Sequence, residues 1–168
     1  MKKTLIILAI VIMILCLNKQ EAIRIPKEAI RFRVIANSDL EEDQKMKKEI
    51  VKNLSFELKN IKNMNSLEET RKYIVEKLPT FETIVKNSLE ENNADPSFSI
   101  HYGQNYFPEK IYKDVIYEEG EYESLVVTLG SGNGENFWCV LFPPVCFLDE
   151  NEDIEYKSFI KEMIEKYF

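Results

Sequence analysis

"RFRVIANSDLEEDQKMKKEIVKNL", residues 31–54, changes its apolar period part-way along, and that change decides the fold. Ile30, Phe32, Val34 and Ala36 alternate with Arg31, Arg33 and Ile35, the period of a half-buried strand. From Met46 the apolar positions are Met46, Ile50, Leu54, Leu58 and Ile61, one face of a helix with lysines and glutamates opposite. The switch is therefore confined to residues 37–42. There Ser38 with Glu41, or Asp39 with Glu42, has capping-box spacing, and the acids at 39, 41, 42 and 43 sit where the helix dipole is positive. Asp39 and Asp43, four apart, also share a helix face as paired catalytic carboxylates would. The first reading of the junction is a capped turn. The second is that Asn37, Ser38, Asp39 and Asp43 are presented to a partner.

Towards the C-terminus, Ser66 with Glu69 forms a second capping box whose helix is expected to end at Leu78, because Pro79 disfavours helical geometry before it. Thr80 then caps a third helix, with Phe81, Ile84, Val85 and Leu89 on its buried face. Residues 91–97, "ENNADPS", form a loop by composition. Strand-like patterns follow at Phe98–Tyr102, Tyr122–Leu129 and Phe137–Phe142, the last two joined by "GSGNGEN". A closing helix over Ile154–Phe168 aligns Tyr156, Phe159, Ile160, Met163, Ile164 and Tyr167. Helices segregated from later strands predict an α+β domain over 30–168: an N-terminal strand, about three helices, an antiparallel strand region and a C-terminal helix.

Towards the N-terminus, Lys2 and Lys3 precede the uncharged apolar run Leu5–Leu17. That run has the length of a signal-peptide core and is shorter than the roughly 20 residues of an untilted spanning helix. Residues 1–20 therefore read as a signal peptide or short signal anchor, 21–29 as a linker, and the rest as extracytoplasmic. Membrane contact is expected only through residues 5–17, if they are retained. Residues 1–20 hold three lysines and no acid, so 19 basic residues face 29 acidic ones beyond them, a net charge of −10. That balance argues against a nucleic-acid binder and against a polybasic membrane clamp.

Few residues offer chemistry. His101 is the single histidine and falls in a strand pattern, so a histidine-based triad or multi-histidine zinc site is either absent or unusual. Gly130, Gly132 and Gly134 lead into "FWCVLF" and not into a helix, so they read as a turn and not as a phosphate loop. No metal or cofactor is expected. Cys139 and Cys146 bracket "VLFPPV"; with a turn over Leu141–Pro144 they face each other across a hairpin, within disulfide reach. They read as a disulfide in an oxidising exterior or as two buried thiols. Phe142-Pro143 suits a type VI turn. Finally "HYGQNYFPEKIYKD", 101–114, gathers Tyr102, Tyr106, Phe107 and Tyr112 without clean periodicity, as aromatics pinning a loop or as a protein-binding face.

"RFRVIANSDLEEDQKMK", "HYGQNYFPEKIY" and "GEYESLVVTLGSGNGENFWCVLFPPVCF", together with the N-terminal signal, resemble the stage II sporulation protein R family over about residues 24–150. The resemblance implies a protein made in the forespore and exported into the space between the two sporangial membranes. It implies activation of a membrane-embedded aspartic protease facing the mother cell, which cuts the pro-sequence from the sigma-E precursor. By position, the family's "VIANSD" is Val34–Asp39, its Asp-Gln pair is Asp43 and Gln44, and its cysteine pair is Cys139 and Cys146. Arg33 stands where the family often has histidine, and Leu40-Glu41 where it tends to have Ser-Pro, so capping here shifts to Ser38 or Asp39. The residues assemble no nucleophile, base and oxyanion site, and a non-enzymatic ligand protein is the expectation. The alternatives are an exported envelope hydrolase using Asp39 and Asp43, and an extracytoplasmic module binding another membrane protein.

Overall fold

The computed structural model describes residues 22–113, 115–147 and 156–168. The signal segment 1–20 and the first two residues of the expected closing helix lie outside them. The elements are β1 (Ile23–Arg24), β2 (Ile30–Ile35), α1 (Glu41–Leu58), α2 (Leu67–Glu91), β3 (Phe98–Phe107), β4 (Lys110–Tyr112), β5 (Val115–Tyr117), β6 (Gly120–Leu129), β7 (Asn136–Phe142) and α3 (Tyr156–Tyr167), with short 3₁₀ turns at Lys59–Asn63 and Val145–Phe147. The fold is α+β. None of the described helices is long and apolar enough to cross a membrane.

Four strands form a mixed sheet in the order β3-β6-β2-β7. β2 runs parallel to β6, with Phe32 opposite Leu125, and antiparallel to β7, with Phe32 opposite Cys139. β3 pairs antiparallel with β6 over its ten residues, Phe98 opposite Leu129 through Phe107 opposite Gly120. A smaller sheet, β1-β5-β4, joins β1 parallel to β5 and β4 antiparallel to it.

The alternation in β2 sorts its side chains between two cores. Ile30, Phe32 and Val34 join Leu125, Val127, Leu129 and Leu141 against Ile50, Leu54, Ile74, Phe81 and Val85 of the two long helices. The opposite face carries Arg31 towards a second cluster of Ile25, Ala29, Val115, Val140, Val145 and Ile160. Residues 22–29, read from the sequence as linker, therefore pack: Ile25 is 2% exposed, Ala29 is fully buried, and β1 pairs with β5.

Three local expectations change. Pro79 does not end a helix: α2 runs unbroken from Leu67 to Glu91. Ile74, Phe81, Val85 and Leu89 hold one stripe in phase across the proline, so burial against α1 outweighs the lost backbone bond. The separate third helix, capped by Thr80, does not form. The segment 101–114 is not an aromatic loop, because β3 continues to Phe107 and β4 follows at Lys110. The capping box at Ser66 forms as expected, Glu69 N donating to Ser66 Oγ at 3.2 Å, although the Glu69 carboxylate reaches back to Asn65 N. The box expected at the β2–α1 junction does not.

Candidate functional site

At the β2–α1 junction every short polar side chain has a partner within the protein. The helix begins after Leu40, which makes no side-chain cap. Ser38 and Asp39 lie too early to cap it, so they turn elsewhere. Ser38 Oγ accepts from Leu40 N at 3.2 Å and donates to Asp43 Oδ2 at 2.5 Å. Asn37 Nδ2 donates to the same Asp43 oxygen at 3.0 Å, and Asn37 Oδ1 accepts from Ser131 N at 2.9 Å. Asp39 Oδ1 accepts from Glu135 N at 2.7 Å. Gln44 Nε2 donates to the Ser38 carbonyl at 2.9 Å, and buried Lys47 donates to Gln44 Oε1 at 2.6 Å and to the Glu135 carbonyl at 2.8 Å. Burial holds the Lys47 ammonium below the usual lysine pKa.

These bonds pin the junction to the β6–β7 turn, whose glycines permit the approach. A Cβ at Gly134 would lie 2.3 Å from the Ser38 carbonyl oxygen, and one at Gly130, where φ is +52°, 2.3 Å from Asn37 Oδ1. The junction is thus a structural knot. Its two carboxylates, Asp39 and Asp43, each spend an oxygen holding backbone or side-chain donors.

The aromatics of 101–114 do not form one face. Tyr102 sits on the helix side of the sheet and donates to Glu123, which Arg71 Nε also contacts at 3.0 Å. Burial and the Glu123 carboxylate raise its phenol pKa. Tyr106 is 54% exposed and reaches Glu119 at 3.3 Å. Phe107, expected on a partner-facing surface, is 2% exposed because it packs edge-on against Tyr122 and Trp138. Tyr112 is exposed and stacks edge-on against Tyr156 with ring centroids 5.3 Å apart.

What Phe107 and Tyr112 share is a cleft of about 690 Å³, within the range of roughly 300–1,000 Å³ typical of ligand sites. Its walls come from β4 (Lys110–Tyr112), β7 (Asn136–Val140) and the flanking residues Tyr117, Cys146 and Tyr156, with Arg31 between them. Arg31 is 2% exposed, and its guanidinium carbon lies 3.4 Å from the Tyr122 ring centroid and 5.2 Å from that of Phe107. Its Nη2 donates to the Glu118 carbonyl at 3.4 Å, and its Nε has no partner among the described residues; the Glu118 carboxylate is engaged by Arg24. Burial lowers the Arg31 pKa, yet arginine stays charged. Arg33 lies 4.5 Å over the Trp138 ring, its Nε likewise unpartnered among the described residues, as is the buried Asn136 Oδ1. Tyr117 and Tyr156 meet hydroxyl to hydroxyl at 2.5 Å, and burial raises the pKa of both.

Cys139 and Cys146 are joined by a disulfide with Cα atoms 5.6 Å apart. Cys146 lies in the 3₁₀ turn after the cis Phe142-Pro143 bond and not on a second hairpin strand. The bridge ties that turn to β7 beside the cleft. Sequence reasoning placed Arg31 on the strand's outer side and missed the cleft; the clustered aromatics and the lone Trp138 were its available signal. Among the described residues no cluster of His, Cys, Asp and Glu is arranged to hold a metal.

A model of the stage II sporulation protein R family matches residues 26–152, which include β2, both long helices, β3 to β7 and all the cleft walls except Tyr156. The chain belongs to the stage II sporulation protein R family. Stage II sporulation protein R of Bacillus subtilis (strain 168) is 40% identical to it over 163 residues, covering 89% of this chain and 73% of that relative. No solved structure matches. As a member of the stage II sporulation protein R family, the chain has its role in sporulation.

Proposed function

We propose that the protein is an exported, non-enzymatic sporulation signal that activates a membrane-embedded aspartic protease in the facing membrane, so that the sigma-E precursor is processed in the mother cell. Family membership across the folded unit, residues 26–152, carries this reading. The disulfide suits an oxidising space outside the cytoplasm, where such bonds persist. The junction chemistry also favours a ligand protein over a hydrolase: Asp43 Oδ2 is held by Asn37 and Ser38, and Asp39 Oδ1 by Glu135 N. Activation then consists of binding the active protease more tightly than the inactive one. Moving a 1:99 balance to 99:1 takes about 5.5 kcal/mol of such preference.

The test is conversion of the sigma-E precursor in non-sporulating cells that co-express the protease, with and without the full chain. Conversion is expected only with the chain, and equally with Asp39→Asn, which keeps an acceptor for Glu135 N while removing the carboxylate. No conversion with an exported, folded chain would overturn the reading. Conversion abolished by Asp39→Asn with folding intact would favour the hydrolase.

A further inference from the structure

The whole chain carries a formal charge of −7, yet its cleft is lined by Arg31, Lys110 and Lys113 and, among the described residues, by no acid. Arg31 is the informative one. A guanidinium 2% exposed, stacked on Tyr122 and with Nε unpartnered, is a buried charge that no carboxylate hydrogen-bonds among the described residues, Glu118 acting on it only through space. Buried charges are costly unless paired, and a planar fork of N–H donors matches a carboxylate.

The walls say what form such a ligand takes. Asn136 to Val140 and Lys110 to Lys113 line the cleft as consecutive residues. A strand presenting a face contributes every second residue, so an unbroken run means that the strand's edge borders the cleft. Among the described residues both strands are edges: β7 pairs only with β2 and β4 only with β5. Main-chain groups on such edges are the usual acceptors of an added peptide strand. Trp138, Tyr112 and Ile111, the last 67% exposed, supply the large apolar contacts that anchor interfaces.

We propose that this cleft is the docking site for an extended, carboxylate-bearing peptide segment of the partner, laid between the β7 and β4 edges with its carboxylate on Arg31 and the rim lysines. The proposal rests on the reading of the chain as a protease-activating ligand, and the partner segment is then an acidic extracytoplasmic loop. Trp138 is the chain's single tryptophan, so its emission reports occupancy.

The probes are overlapping ten-residue peptides tiling the protease's extracytoplasmic loops, titrated into the full chain alongside inorganic phosphate. Peptides that shift Trp138 emission saturably are expected to contain Asp or Glu. They should weaken at least tenfold when that residue becomes Asn or Gln, and at least tenfold against Lys110→Glu/Lys113→Glu, whose urea midpoint should match the parent. Indifference to either change, or an equal response to phosphate, would overturn the proposal. In the co-expression cells, the charge-reversed variant should lose at least tenfold in conversion. Full conversion by that variant sinks the cleft and leaves protease activation standing. No conversion by the parent chain sinks both.

Discussion

Asn37 shows how a single side chain joins two parts of the chain that are 94 residues apart. It accepts from Ser131 N and donates to Asp43 Oδ2, which keeps Ser38 Oγ as a second donor, so Asn37→Ala removes two hydrogen bonds at once. Losses of this kind cost about 1–3 kcal/mol, and urea unfolding should show a fall of that size. Gly134→Ala should cost at least as much, because its Cβ would meet the Ser38 backbone at 2.3 Å and the backbone must shift. Tyr102 gives the pH dependence. Its folded pKa is raised above the ordinary value of about 10, first by burial and then by Glu123, so the native state keeps a proton that the unfolded chain releases. The stability this contributes is complete below about pH 10 and is lost as pH rises beyond it. Thermal midpoints measured from pH 8 to 11 should decline more steeply for the parent than for Tyr102→Phe; equal slopes would contradict the assignment. The junction residues were legible as a turn from their types and spacing, but not as a knot. Their partners, Ser131 and Glu135, lie across the β6–β7 turn, which no local pattern reveals.

Among the elements, β2 and α1 were legible because one segment carries two clean periods and each is satisfied by burial on one side. Pro79 misled for a physical reason: local geometry argues for a break, while the stripe Ile74, Phe81, Val85, Leu89 argues for continuity, and packing on α1 outweighs the local preference. Pro79→Ala should therefore preserve the helix and restore a backbone bond. A gain of about 1 kcal/mol is expected after allowing for the looser unfolded chain, read as a higher urea midpoint; a lower midpoint would mean that the proline shapes the packing. The second half of β3 was hidden because an edge strand alternates less strictly, Gln104, Asn105 and Tyr106 supplying polar groups where an interior strand would be apolar. The disulfide closes a short loop, sequence separation 7, worth roughly 2–3 kcal/mol on the chain-entropy model. Reduction, or Cys139→Ala with Cys146→Ala, should lower stability by about that amount and perturb Trp138 emission, since both cysteines border its cleft.

On the scale of the whole molecule, fold class followed from element order, whereas the cleft did not, because its walls come from β2, β4, β7 and α3 and meet only in the folded chain. Arg31 looked like the solvent side of a strand until the small sheet was seen to cover it. The result is a division of labour. The junction and its glycine turn hold the main sheet to the helices, and the opposite face of that sheet, under β4 and beside the disulfide, carries the basic aromatic cleft. If the protein acts by binding, as proposed, its activity should follow cleft integrity and not the carboxylates of the junction. The most direct measurement uses sealed membrane vesicles holding the protease and the sigma-E precursor, with the full chain supplied to one side at a time. Conversion is expected only when the chain faces the extracytoplasmic side, unchanged by Asp39→Asn. Conversion that is independent of the chain, or that requires it on the cytoplasmic side, would mean that the protein is not an exported activator.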